Sequence, residues 1–168
     1  MIRQNQTLNE LINHDLVHMA EILAANKVKA ATPPQLLLSL PNKKNWSIAN
    51  LNWHLDVNSE PDTPIPGVQI FVLIKDLEIH GGGTLALAGT HRLPKAIQNL
   101  KENPEFNKLF VQDVGPIKVN DHEISLIEMH GKAGDIYFMD MRTVHSPSIN
   151  STNEIRMMLT NRFLRSKS

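Results

Sequence analysis

The chain has 168 residues, with 17 Lys and Arg against 17 Asp and Glu, so its formal net charge is zero. That balance removes the electrostatic case for nucleic acid or an anionic membrane as the main partner. Cysteine is absent, which excludes disulfides, thiolate metal sites and a cysteine nucleophile; any metal must be held by Asp, Glu or some of the 8 His.

The length suits one domain with a real core, expected to span 1–168. No apolar run reaches the roughly 20 residues of a membrane-spanning helix. The opening MIRQNQTLNE lacks the apolar stretch of a secretion signal. A cytoplasmic protein is the expectation, and the formal glycosylation sequons at Asn5, Asn45 and Asn150 are read as chance.

In chain order, the first element is an amphipathic helix over 7–27. Leu8, Leu11, Ile12, Leu16, Met19, Ile22 and Leu23 recur at three- and four-residue steps, and Thr7 with Glu10 fits a capping box. Pro33-Pro34 forbids its continuation. Short strands follow over 35–40, 48–57, 67–75, 84–88, 116–119, 123–130, 134–140 and 155–164, bounded by Gly, Pro, Asn or Asp. A helical insert is expected over 94–110. One helix and then many short strands imply a mainly β chain, a sandwich or jelly roll with helical buttressing. Its core would cover about 35–165.

Chemistry concentrates in NWHLDV, Asn52 to Val57. On an extended chain alternate residues face the same way, so His54 and Asp56 point together. A buried carboxylate is costly unless paired or bound to a metal. A third donor appears at His145, just before Ser146-Pro147, after the apolar run Ile136 to Met139. Two His and one carboxylate on one face leave three open positions on an octahedral ion, the facial triad of non-haem Fe(II) oxygenases. Arg156 follows at the start of another apolar strand, where a lone arginine needs a reason. A guanidinium makes a bidentate pair with a carboxylate. Arg156 would therefore suit the far end of a dicarboxylic acid bound to the metal.

These features together resemble the Fe(II)/2-oxoglutarate-dependent dioxygenases, in their phytanoyl-CoA dioxygenase-like branch. The resemblance rests on Trp53-His54-Leu55-Asp56, on GGGTLALAGTHR from Gly81 to Arg92, and on Gly134-Asp135 followed by an apolar strand, His145 and Arg156. It implies a double-stranded β-helix, with Fe(II) held by His54, Asp56 and His145 and with 2-oxoglutarate salt-bridged to Arg156. It implies that O2 decarboxylates 2-oxoglutarate to succinate and CO2 while a C–H bond of a small organic substrate is hydroxylated. Asp56 favours that outcome, since the related halogenases lack this carboxylate.

The chain departs from the branch in three places. Ala88 and Thr90 stand where the branch has proline and serine, His54 comes early, and Pro147 replaces a serine that some relatives offer to 2-oxoglutarate. Gln69 and Thr84, each opening a strand near the site, are candidates to bind the cosubstrate instead.

Other conspicuous residues have plainer readings. Gly81-Gly82-Gly83 lacks the Gly-Lys-Ser/Thr ending of a phosphate loop and reads as a turn. His91 and Arg92 cap the turn after Gly89, and His80 and His130 sit in exposed turns. His14 and His18 lie on a helix surface, and Trp53 packs in the β-core. Arg142 either reaches an acidic substrate or stands in solvent. Arg156 and Arg162 share the six-residue spacing of nucleic-acid-repair dioxygenases, but zero net charge and 5% aromatics offer little to a flipped base. The competing function is a cupin-like metal-binding protein without 2-oxoglutarate-dependent activity, either an isomerase or a regulatory or scaffold subunit. Homo-oligomer formation stays open on sequence alone.

Overall fold

The computed structural model describes residues 6–42, 45–94, 106 and 115–166. The chain begins with two helices, α1 (Gln6–Leu11) and α2 (His14–Ala24), where periodicity predicts one. The break is Asn13. Its backbone is extended (φ −75°, ψ 175°) and its side chain accepts a hydrogen bond from the Leu16 N–H at 3.1 Å, so it caps a new helix rather than continuing the old one. Thr7, expected as the first cap, lies inside α1.

The buried face of α2 is Leu16, Ala20 and Ala24, one residue per turn. Most of the large residues in the predicted stripe are outside: Leu11, Met19, Ile22 and Leu23 are all exposed, Ile22 by 64%. Two alanines allow α2 to sit close on the sheet, and close approach decides which face is buried.

Nine strands follow among the described residues: β1 (Val28–Ala30), β2 (Gln35–Ser39), β3 (Gly67–Leu73), β4 (Thr84–Ala88), β5 (Ile117–Val119), β6 (His122–Glu128), β7 (Ile136–Asp140), β8 (His145–Pro147) and β9 (Arg156–Arg165). One sheet runs β1-β9-β3-β7, with β2 also paired to β9; the other runs β5-β6-β4-β8. Every pairing is antiparallel. The fold is a double-stranded β-helix, the jelly roll, with its sheets not closed on each other. β3 is buried at every residue, because β7 and β9 flank it and both its faces are covered. The β5–β6 hairpin turns at Asn120 and Asp121, both with positive φ, as a two-residue hairpin loop requires.

Three apolar clusters hold these layers. Val68, Ile70, Val72, Leu159 and Phe163 meet Leu16, Ala20 and Ala24 between the first sheet and α2. Phe71, Leu73, Met139 and Met158 meet Ala86 and Met129 between the two sheets. Leu87, Ile117, Val119, Ile124 and Val144 form the third with Leu93 and Phe106. The helical insert expected over 94–110 lies outside the described residues except at Pro94 and Phe106; Phe106 is helical and fully buried.

Two strand expectations need correction. The stretch 48–57 makes no strand: its one ladder contact is an isolated bridge between His54 and His145, and Asn50 turns the chain with φ 61°. Conversely β1 and β8, three residues each, carry too little pattern to be seen in the sequence.

The glycine run is a turn between strands. A Cβ on Gly83 would lie 2.2 Å from the Met129 carbonyl oxygen, so only glycine lets the end of β6 close on the start of β4. Gly83→Ala is expected to cost about 1–3 kcal/mol, from overpacking against backbone that cannot retreat. Urea unfolding of the variant beside wild type checks this.

Candidate metal centre

The His54–His145 bridge is where the site begins. Each residue's N–H donates to the other's carbonyl, both at 3.0 Å, so two distant parts of the chain are locked at one register. The rings then lie 4.3 Å apart between centroids, inclined by 50°. Alternation survives without a strand. Trp53 and Leu55 pack on the third apolar cluster, as expected for Trp53, while His54 and Asp56 point the other way.

The two imidazoles are oriented identically. His54 Nδ1 lies 2.9 Å from the Asn52 carbonyl and His145 Nδ1 lies 3.0 Å from the Thr143 carbonyl. A carbonyl only accepts, so each Nδ1 carries the proton and each Nε2 keeps its lone pair. Such backbone partners fix the tautomer and aim of metal-ligating histidines. Burial pushes the pKa of His145 down, outweighing the Thr143 hydrogen bond that pushes it up, so the ring is held neutral.

Asp56 completes the group. Its Oδ2 is 3.7 Å from His145 Nε2 and accepts from Arg162 Nε at 2.9 Å. One donor atom from each of His54, Asp56 and His145 lies within 4.8 Å of the others. Ligands at about 2.1 Å from one ion and at right angles to each other stand ~3.0 Å apart, so the three donors would draw closer together on seating a metal.

Arg156 starts β9. Alternation puts it on one face with Met158, Thr160 and Arg162, and Met158 belongs to the cluster between the sheets. Arg156 is 6% exposed, its Nη1 touches only the Met158 sulfur at 3.6 Å, and its Nε is buried with no hydrogen-bond partner. Burial pushes its pKa down. Among the described residues no carboxylate pairs with it. An unpaired buried cation is costly, so the arrangement suits an anion supplied from outside.

Gln69 and Thr84 are both buried, on β3 and β4. Thr160 gives its one hydroxyl proton to the Ile70 carbonyl at 3.0 Å, so it must accept from Gln69 Nε2, also at 3.0 Å. Gln69 Oε1 is left without a partner. Thr84 stands opposite Pro147 on β8.

Several side readings resolve. Arg142 is buried, against both alternatives read from sequence. It pairs with Asp140 and donates from Nη1 to the carbonyls of Glu60, Pro61 and Thr63, so it staples the segment after Asp56. Its Asp140 partner is local, but the three carbonyls it ties down are some 80 residues away, which nothing local in the sequence signals. Thr90 Oγ1 donates to the Leu87 carbonyl and accepts from the Val144 N–H, tying the turn after β4 to the residue before His145. His91 is half-buried beside this turn, apart from the triad. His14, His18, His80 and His130 are exposed. The Asp56–Arg162 pair went unread in the sequence, although the alternation from Arg156 puts Arg162 on the same face.

The sequence profile of the phytanoyl-CoA dioxygenase family matches residues 4–158. The chain belongs to this family. Solved structures with the same fold include AviO1 from Streptomyces viridochromogenes Tue57, with TM-score 0.69 and 19% identity over 95% of this chain and 61% of that one. The non-heme α-ketoglutarate-dependent epimerase SnoN from nogalamycin biosynthesis gives 0.68 and 22% over 96% and 59%. EctD from S. alaskensis, solved with 2-oxoglutarate and 5-hydroxyectoine, gives 0.65 and 17% over 96% and 54%. This phytanoyl-CoA dioxygenase family member thus spans roughly three-fifths of the length of the structures it matches. No curated protein is similar enough in sequence to count as a relative. No helix among the described residues is long and apolar enough to cross a membrane.

Two expectations follow. Arg142→Met leaves Asp140 and three carbonyls without their donor, and should cost about 3–5 kcal/mol in chemical denaturation. His145 in the folded chain resists a proton that the unfolded chain accepts at about the reference value of 6.5. The unfolded state then binds more protons, so this contribution is complete above 6.5 and is lost as pH falls below it. His91, also lowered by burial, adds in the same direction. The metal-free protein should therefore lose thermal stability from pH 6.5 downward, and His145→Gln should flatten that slope.

Proposed function

We propose that the chain is an Fe(II)- and 2-oxoglutarate-dependent oxygenase that hydroxylates a C–H bond of a small organic substrate. One O2 and one 2-oxoglutarate would be consumed, releasing succinate and CO2, with one oxygen atom left on the substrate. His54, Asp56 and His145 would hold the metal, and Arg156 would take the distal carboxylate of 2-oxoglutarate. Gln69 and Thr84 are assigned to cosubstrate binding, Thr84 because it stands opposite Pro147, which offers no hydroxyl. The reading treats 1–168 as one domain and gives it a cytoplasmic location, where ferrous iron and 2-oxoglutarate are both at hand.

One observation carries this reading. Two imidazoles with free Nε2 atoms and one carboxylate converge in a chain that also buries a guanidinium lacking an anion. That donor set fits a ferrous ion and leaves coordination positions open. When bound, iron would supply the O2 chemistry. The chain's own residues would orient the ligands, hold His145 neutral by burial and neutralise the cosubstrate's charge. A second outcome at the same centre is epimerisation, the reaction of SnoN. A product heavier by one oxygen atom separates hydroxylation from it.

The test is anaerobic titration of the full chain with Fe(II) and 2-oxoglutarate, followed by the visible charge-transfer band, then succinate assay in air. Wild type should develop the band, and His54→Ala should lose both band and succinate. Arg156→Met should bind Fe(II) normally yet weaken 2-oxoglutarate about 30-fold or more, the cost of removing one member of a buried ion pair. Unchanged 2-oxoglutarate affinity in Arg156→Met would favour the cupin-like alternative.

A further inference from the structure

The imidazoles of His54 and His145 are held by carbonyls two residues back, but Asp56 has no such local partner. It stands in an irregular segment, and the nearest backbone tie is the Val57 N–H to the Met141 carbonyl at 3.1 Å. A carboxylate turns easily about its last torsion. What stops it here comes from β9, 106 residues further on: Arg162 Nε donates to Asp56 Oδ2 at 2.9 Å. That is the same oxygen that lies 3.7 Å from His145 Nε2. The backbone holds Arg162 in place, because β9 is paired there with β3, Arg162 opposite Gln69.

We infer that Arg162 is a positioning residue for the metal centre, fixing the rotation of Asp56 so that Oδ2 faces His145 before a metal arrives. The inference rests on the metal reading above. Arg162 does for the carboxylate what the Asn52 and Thr143 carbonyls do for the imidazoles.

A contrary effect must be weighed. A guanidinium beside the site repels an incoming cation. The Arg162 side chain is 29% exposed, against 11% for Asp56, so solvent and salt screen its charge. Loss of orientation is not screened. Hydrogen-bond partners of metal ligands are typically worth ~10–100-fold in metal affinity. Orientation therefore outweighs repulsion, and removing Arg162 weakens metal binding although it removes a repelling charge.

The test uses cobalt(II) alone, added anaerobically to the metal-free full chain and followed by its visible absorption. Arg162→Met should bind cobalt about 10-fold or more weakly, with an altered spectrum, and Arg162→Lys, which keeps a charge and a donor, should recover part of the loss. Circular dichroism establishes that each variant is folded. Should Arg162→Met not fold, Arg162→Lys decides: about threefold or greater weakening supports the inference, and wild-type affinity overturns it. Arg162→Met binding as tightly as wild type, or tighter as pure repulsion demands, overturns the inference and leaves the metal centre standing. A wild-type chain that takes up no cobalt overturns the metal reading, and the inference with it.

Discussion

Two backbone hydrogen bonds carry the site. The reciprocal pair between His54 and His145 brings a strandless segment against the short strand β8 and sets their register. A slip of one residue in 52–57 would turn His54 and Asp56 to the opposite face and leave His145 behind, because side chains alternate along an extended backbone. Trp53 and Leu55, sunk in the apolar cluster behind, make that slip expensive, since they would have to surface together. Thr90 adds a tie to Val144, so the residues on both sides of the bridge are anchored by contacts other than the bridge itself.

The same economy appears in the arginines. Arg142 and Arg156 are about equally buried, at 4% and 6% exposure, yet their surroundings are opposite. Arg142 is saturated by a carboxylate and three carbonyls and closes the segment that follows Asp56. Arg156 has a thioether and an orphaned Nε. A chain that satisfies one buried guanidinium so fully is not short of acceptors in general. The deficit at Arg156 is local, on the interior face of β9 that also carries Arg162 towards Asp56. Burial alone would treat the two residues alike; their partners separate a cation the chain satisfies from one it leaves unpaired among the described residues.

Much of this was legible in the sequence because its signals were two-residue alternations. His54 with Asp56 and Arg156 on an inward face both follow from the period of an extended chain, and the long strands β2, β3, β4 and β9 came out close to their observed limits. What failed was everything decided by distant partners or by shape. The helix pattern did not reveal that Asn13 would cap a second helix. It also did not reveal that alanines rather than leucines would face the sheet, because hydrophobicity ranks size while close packing selects smallness. The stretch 48–57 has a strand's composition but only one bridge, since its ladder partner β8 is itself three residues long. The role of Arg142 as a staple could not be placed, because besides Asp140 its acceptors are distant backbone carbonyls, which have no letter in the sequence.

Charge links these observations. Before loading, the candidate site holds one carboxylate, Asp56, and two guanidiniums, the buried Arg156 and the partly exposed Arg162. Both histidines keep Nε2 free, and burial holds His145 neutral. On the proposed reading a dication and a dianion arrive, and together they leave the net charge of the cavity unchanged. Either one alone shifts it by two units. The dianion without the metal meets the two guanidiniums but also the Asp56 carboxylate. The metal without the dianion adds to a site that already carries excess positive charge. Each ligand therefore improves the electrostatics for the other, and by linkage the improvement is reciprocal. A pocket with one arginine fully paired and one left bare is the arrangement that makes joint loading the favourable state.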